Sequence, residues 1–161
     1  MLEAWEFYKA NFSGTEKLHV IGDGPLLSEL KNDYADARTI FYGYLDQNEI
    51  SQVMKDAHVG VIPNVWEEPF GKVALDFLKF GLRIVATRSG GLIEILSEDQ
   101  ATTFIDSPSM IELSTKMRES SLNHLEIDST SRTIVLEKFN EKNIELQWQS
   151  LVSDLISKRV G

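Results

Sequence analysis

The residues best equipped for chemistry in this sequence are a pair of carboxylates and the glycines around them. Glu67 and Glu68 stand together in Pro63-Asn64-Val65-Trp66-Glu67-Glu68-Pro69-Phe70-Gly71, a segment stiffened by two prolines. Gly71 opens the helix expected next, whose first N–H groups have no partner within the helix and carry the positive end of its dipole. An anion docked there is stabilised without any cation, and Glu68 beside it can accept hydrogen bonds from sugar hydroxyls. The same dipole equally favours two solvated acids, and spacing alone leaves both readings open. Further along, Lys72, Asp76 and Lys79 form one polar stripe among Val73, Ala74, Phe77, Leu78 and Phe80. That stripe is either a solvent face with a Lys72–Asp76 pair worth on the order of a few tenths of a kcal/mol, or an edge from which Asp76 reaches a ribose diol.

Two glycine loops accompany these residues. In Ile21-Gly22-Asp23-Gly24-Pro25, Gly22 and Gly24 permit a tight turn and close backbone approach to a phosphate. A dinucleotide fingerprint needs a third glycine three positions on, and Leu27 stands there instead. Ser89-Gly90-Gly91, followed by Glu94, offers bare amides that can cradle phosphate or sugar, or simply turn the chain.

Short β-rich runs at 17–21, 38–42, 58–62, 83–87 and 102–105 predict strands, and patterns near 26–35, 46–57, 71–80 and 92–96 predict helices between them. Asp46 with Glu49 forms a capping box, Gly81 sits where a left-handed helix stop is wanted, and Ser107-Pro108 reads as a cap plus first-turn proline before a helix at 110–120. After about residue 107 only helices are expected, the last at 140–158 with Ile144, Trp148, Leu151 and Leu155 on one side. This alternation specifies a doubly wound, Rossmann-like α/β domain with a helical C-terminal extension, filling residues 1–161 as one domain. Ligands in such sheets sit at the C-terminal strand ends, where all the loops above fall.

Composition narrows the function. With 25 acidic residues against 16 basic and a net charge of -9, a nucleic-acid polymer is an unfavourable partner, though a nucleotide is not. There is no cysteine, and His19, His58 and His124 stand at no metal-ligand spacing. No apolar run is long enough to span a bilayer and Met1-Leu2-Glu3-Ala4 is no signal peptide, so the expected location is cytoplasmic with no transmembrane segment.

Taken in order, the motifs resemble the C-terminal, nucleotide-sugar-binding domain of family-4 (group 1) glycosyltransferases of GT-B architecture. Val20-Ile21-Gly22-Asp23-Gly24-Pro25 resembles the family's first glycine turn, and Ile40-Phe41-Tyr42-Gly43 a strand end. Met54 to Pro63 resembles its Ala-Asp-Val strand in a shifted form. Glu68-Pro69-Phe70-Gly71 with Asp76 falls on its Glu-x7-Glu signature, and Gly81, Val85-Ala86-Thr87 and Gly90-Gly91 with Glu94 complete the run. The matching part is about residues 18–96, followed by the helical tail at about 107–158. The resemblance implies Glu68 as the catalytic carboxylate touching the donor hexose, and Asp76 at the ribose. Amides of Phe70, Gly71, Lys72 and Val73 would lie at the diphosphate, and Tyr44 and Leu45 by the base. Gly22, Gly24, Gly90, Gly91 and Glu94 would line the same cleft. It further implies retaining, metal-independent transfer from a nucleotide-diphosphate sugar, without cofactor, in glycan or polysaccharide biosynthesis.

Two departures shape the expectation. Asp76 replaces the signature's second Glu, shortening its reach by roughly one C–C bond. The family's opening strand, with its diphosphate-gripping Arg and Lys, has no counterpart before the helix at 1–12, and the N-terminal acceptor domain is likewise unmatched. A 3-2-1-4-5-6 sheet would therefore lack a central strand, and the chain alone is expected to be inactive. Alternatives are a non-catalytic nucleotide-binding or assembly module forming half of a two-chain enzyme, a GT-B nucleotide-sugar epimerase, and a plain doubly wound oxidoreductase. An exposed apolar strip around Trp148 and Leu151 would favour the assembly module.

Overall fold

The computed structural model describes residues 1–160. Its elements run α1 (Leu2–Asn11), β1 (Leu18–Ile21), α2 (Leu27–Tyr34), β2 (Thr39–Gly43), α3 (Gln47–Lys55), β3 (Val59–Ile62) and α4 (Lys72–Lys79). There follow β4 (Arg83–Thr87), α5 (Gly90–Leu96), β5 (Thr102–Ile105), α6 (Met110–Leu122), α7 (Ser129–Lys138) and α8 (Glu141–Val160). All five expected strands form, shifted by no more than a residue at their ends.

Every strand pairing is parallel, and the strands make two ladders, β1-β2 and β3-β4-β5. The division falls between β1 and β3, where the expected 3-2-1-4-5-6 order places its central strand. One helical layer nevertheless backs both ladders. Ala4, Trp5 and Tyr8 of α1 and Leu113 and Met117 of α6 pack with Leu18 and Val20 of β1, Val59 and Val61 of β3, and Val85 of β4. The indole N–H of Trp5 donates to the Thr39 hydroxyl at 2.9 Å in the buried interior, tying α1 to β2.

β4 is buried along its whole length, and the two-residue period divides its side chains between two cores. Val85 faces the α1/α6 layer, whereas Ile84 and Ala86 pack with Ala74, Leu75 and Leu78 of α4, Leu92, Ile95 and Leu96 of α5, and Val135 of α7. Each large aliphatic side chain fully buried this way contributes roughly 1.5–3 kcal/mol. Helices on both faces of parallel strands confirm the doubly wound class.

Caps and punctuation divide into those expected and those relocated. The Asp46 side chain accepts from the amides of Asn48 and Glu49 while the Glu49 carboxylate accepts from the Asp46 amide, a complete capping box. Gly81 takes φ 71° after α4. At α6, however, the cap is Ser109, whose hydroxyl accepts from the Glu112 N–H at 3.2 Å, while the Ser107 carbonyl accepts from the Ser109 N–H. Pro108 therefore precedes the cap instead of occupying the first helical turn. The tail also divides at a second capped start, where Asp128 accepts from Thr130 and Ser131 to open α7.

α7 is anchored by a buried ion pair. Arg132 Nε lies 2.9 Å and Nη2 3.0 Å from the two Asp99 oxygens, and Nη2 also donates to the Leu82 carbonyl at 2.7 Å. The Thr102 hydroxyl adds a further bond to Asp99. α8, by contrast, leaves Trp148, Leu151, Val152, Leu155 and Ile156 exposed, with Trp148 at 63%.

Candidate functional site

The site is best built from the 63–71 loop, because that loop carries the carboxylates and is held at every turn. It leaves β3 beside Thr87, whose hydroxyl donates to the Ile62 carbonyl at 3.3 Å at the ends of the two strands. Ser89 then fixes its middle. The Ser89 hydroxyl accepts from the Glu68 N–H at 3.1 Å and donates to the Trp66 carbonyl at 2.8 Å, bridging two loop residues at once. Ser89 stands at the N-cap of α5 yet makes no side-chain cap there, since its oxygen is engaged across the cleft floor. Gly91 N–H donates to the Glu68 carbonyl at 2.7 Å.

Two glycines make that approach sterically admissible. A β-carbon at Gly90 would lie 2.3 Å from the Glu68 carbonyl oxygen, and one at Gly91 would lie 2.5 Å from that of Phe70. The Ser89-Gly90-Gly91 segment is thus a backbone-on-backbone clamp under the carboxylate loop, and the Gly91 amide is used within the protein. Glu94 lies exposed on α5.

Of the adjacent acids, Glu67 is exposed and Glu68 half-buried, which separates them where spacing could not. Glu68 Oε1 accepts from the Gly71 N–H at 3.1 Å, and Oε2 accepts from the Asn64 side-chain amide at 2.8 Å. Gly71 takes φ 93°, a left-handed conformation that favours glycine, and is the N-cap of α4. Beyond it Lys72 is exposed and Val73 half-exposed, while Ala74 and Leu75 of the same turn are buried. Phe70 meets Phe139 edge-on with centroids 5.9 Å apart, joining the loop to the end of α7.

Asp76 sits in the second turn of α4 with its side chain 16% exposed, and its nearest cation is Lys79, Nζ to Oδ1 3.6 Å. This replaces the Lys72–Asp76 pair that the solvent-face reading of the polar stripe offered. A contact between residues three apart is as accessible on a helix as one between residues four apart, and the Lys72 side chain stands exposed at the open helix start.

The remaining predicted residues cluster at the ends of β1 and β2. The Gly22 N–H donates to the Gly43 carbonyl at 2.8 Å, past a register shift between Val20 and Ile21. Gly24 N–H donates to Asp23 Oδ1 at 2.8 Å, folding the acid over its own turn. Tyr44 projects at 77% exposure and Leu45 is half-buried, just ahead of the α3 capping box. All these residues therefore share the C-terminal ends of the strands. Among the described residues, no group of three or more His, Asp or Glu is arranged to hold a metal ion. A hollow of about 130 Å³ lies elsewhere, bordered by Arg83, Asp99, Asn123, Leu125 and Asp128.

Asn64 and Ser89 are the two site residues whose roles the motifs did not disclose. Ser89 reads locally as a helix cap, and its partners Trp66 and Glu68 lie more than twenty residues away. Asn64 lies four residues before Glu68, a spacing with no fixed meaning in a loop.

Comparison with known proteins places these features in context. The family described as glycosyl transferases group 1 matches residues 1–120. A sulfoquinovosyl transferase of Arabidopsis thaliana is 31% identical over 142 residues, covering 86% of this chain and 27% of that protein. The N-acetyl-α-D-glucosaminyl L-malate synthase of Bacillus anthracis is 22% identical, covering 87% of this chain and 38% of that one. Among solved structures, Anabaena HepE in complex with UDP and glucose superposes with a TM-score of 0.76 at 17% identity, over 95% of this chain and 44% of that chain. Sucrose-phosphate synthase from Thermosynechococcus elongatus gives a TM-score of 0.75 at 21% identity, over 98% of this chain and 42% of that chain. The chain thus spans between a quarter and a half of the length of these proteins.

Proposed function

The chain belongs to the group 1 glycosyltransferases, and from that premise we propose that it forms the nucleotide-sugar donor-binding half of a retaining, metal-independent enzyme. The observation that carries this reading is the fixed Glu68 carboxylate at the N-terminus of α4, where it takes the Gly71 N–H and leaves the diphosphate to the amides beyond, with Asp76 one turn further along the same helix. The positive end of the helix dipole receives the diphosphate, Glu68 meets hydroxyls of the hexose, and Asp76 meets the ribose. Tyr44 and Leu45 stand by the base, with Gly22 and Gly24 beside them. As the diphosphate departs, negative charge grows where dipoles already point, which lowers the barrier without a cofactor. UDP, held by the Anabaena structure, is the first nucleotide to consider, and glycan or polysaccharide synthesis is the setting proposed.

In this reading the acceptor side comes from a further domain or a partner chain. The interruption between β1 and β3 supports a further contribution to the donor half itself, since a strand inserted there would join two parallel ladders already backed by one helical layer. Transfer by this chain alone is accordingly proposed to be negligible. A second reading, an assembly module contributing half of a two-chain enzyme, is favoured by the exposed apolar stripe of α8 from Trp148 to Ile156.

Thermal denaturation with UDP, GDP and ADP at millimolar concentration tests the donor site. A nucleotide at a hundred times its Kd adds about 2.7 kcal/mol of stability. The proposal expects a rise in Tm with one nucleotide, diminished in Asp76→Ala and retained in Glu68→Ala, because Glu68 faces the sugar. A cooperative melt that no nucleotide shifts would remove the donor site from this chain.

A further inference from the structure

Glu68 does not hang free at the head of α4. Its two oxygens have different partners: the Gly71 amide holds Oε1 at 3.1 Å, and the Asn64 side-chain amide holds Oε2 at 2.8 Å. A carboxylate only accepts, so Asn64 must present its NH₂ group to it. One hydrogen bond alone would leave the carboxylate able to swing, because the terminal torsion of a glutamate has broad wells. A second bond on the other oxygen removes that freedom. An ionised carboxylate offers about four lone-pair directions, so roughly two remain for a ligand.

Asn64 is also separable from the scaffold. The loop backbone is fixed by Ser89 and by the Gly91 amide, neither of which involves Asn64. The Asn64 side chain is half-buried, whereas Val65, Trp66 and Glu67 after it are exposed. Its side-chain contact is with Glu68, and that contact acts on the carboxylate.

We infer that Asn64 is a positioning residue for the sugar end of the donor: its amide locks the Glu68 carboxylate into the rotation in which it meets the hexose hydroxyls. The inference rests on the donor-site reading above. It makes Asn64 a determinant of the sugar contribution to affinity, separate from the nucleotide contribution carried by the α4 N-terminus and Asp76. A hydroxyl pair bound by a pre-oriented carboxylate gives up less rotational freedom on binding than one that must first order its acceptor.

Calorimetric titration of the full chain with UDP and UDP-glucose, GDP and GDP-mannose, and ADP and ADP-glucose tests this. The quantity read is the ratio of the nucleotide's Kd to that of its sugar conjugate. Wild type should show a ratio well above one for a single pair. Asn64→Ala should lower that ratio about tenfold, as expected for losing a hydrogen bond to a charged group, with the bare-nucleotide Kd within about twofold of wild type. Asn64→Asp adds a pH signature that a structural role would not produce. Two carboxylates at hydrogen-bonding distance repel, so the ratio should be near one at pH 8 and recover toward pH 5 as the pair takes up a shared proton. Wild-type ratios in both variants at every pH would overturn the inference and leave the donor site standing. A wild-type ratio of one, with nucleotide still bound, would overturn it too, since Glu68 then touches no sugar. Absence of any nucleotide binding would instead defeat the donor-site reading, and the inference with it.

Discussion

A β-carbon at Gly91 would stand 2.5 Å from the Phe70 carbonyl oxygen and 2.7 Å from Phe70 Cα, both rigid backbone atoms. Ordinary contact begins at 3.4 Å, so in Gly91→Ala the two segments must part by about 0.9 Å. The hydrogen bond from Gly91 N–H to the Glu68 carbonyl, now 2.7 Å, would then stretch to about 3.6 Å and cease to be one. Overpacking of this kind costs about 1–3 kcal/mol and the lost bond about 1 kcal/mol. Together these amount to roughly 2–4 kcal/mol, or a fall in Tm of roughly 4–16 °C for a domain of this size. A Gly24→Ala control, at a glycine with open space around it and no positive φ, should stay within about 2 °C of wild type. Scanning calorimetry of the three proteins checks the difference. If Gly91→Ala melts with wild type, the 63–71 loop is not clamped by the glycine pair, and the argument that rigid backbone contacts position Glu68 fails.

The other predictions concern the scaffold. Arg132→Met should destabilise the domain by about 3–5 kcal/mol, because it leaves the Asp99 carboxylate buried and uncompensated; adding Asp99→Asn should recover part of that loss in denaturant unfolding. The Asp36 carboxyl is held down to about 2 by its hydrogen bond from the Lys9 ammonium and then by the Arg38 amide. A depressed folded value stabilises above the ordinary range and is lost as pH falls through that value, so the Tm advantage of wild type over Asp36→Asn should decline from about pH 5 and be gone by about pH 1. An advantage undiminished between about pH 5 and pH 2 would refute that coupling. Trp5→Phe removes the indole N–H that donates to the Thr39 hydroxyl and leaves that oxygen with the longer bond from Lys9 at 3.3 Å; it should cost about 1 kcal/mol, read as a lower unfolding midpoint in urea.

How much of this was legible in the sequence depended on range. Runs such as Arg83-Ile84-Val85-Ala86-Thr87 specify a strand through their own backbone preferences, and β4 spans those residues. Asp46 and Glu49 satisfy one another within a single turn, so their box could be read directly. Ser107 and Ser109 are both good caps, and only the final course of the backbone selects Ser109. The choice of Lys79 over Lys72 as the partner of Asp76 is of the same kind.

In the site, the loops and their order were legible, since glycines and prolines mark them locally. The contacts that organise them were not. Ser89 reaches Trp66 and Glu68 across 23 and 21 residues, and Arg132 reaches Asp99 across 33. No local propensity encodes such pairs; they follow from how β3, β4 and β5 lie side by side. Burial likewise distinguished Glu68 from Glu67 only after the loop had been laid against α5.

Backbone amide shift mapping on the ¹⁵N-labelled chain, titrated with the sugar conjugate of the nucleotide that raises Tm most, locates the donor on the molecule. A donor held at the strand ends should give saturable shifts confined to three groups: residues 22–25, Tyr44 with Leu45, and residues 68–76. Shifts centred on the hollow at Arg83, Asn123 and Asp128, or along α8, or none at all at saturating ligand, would contradict it.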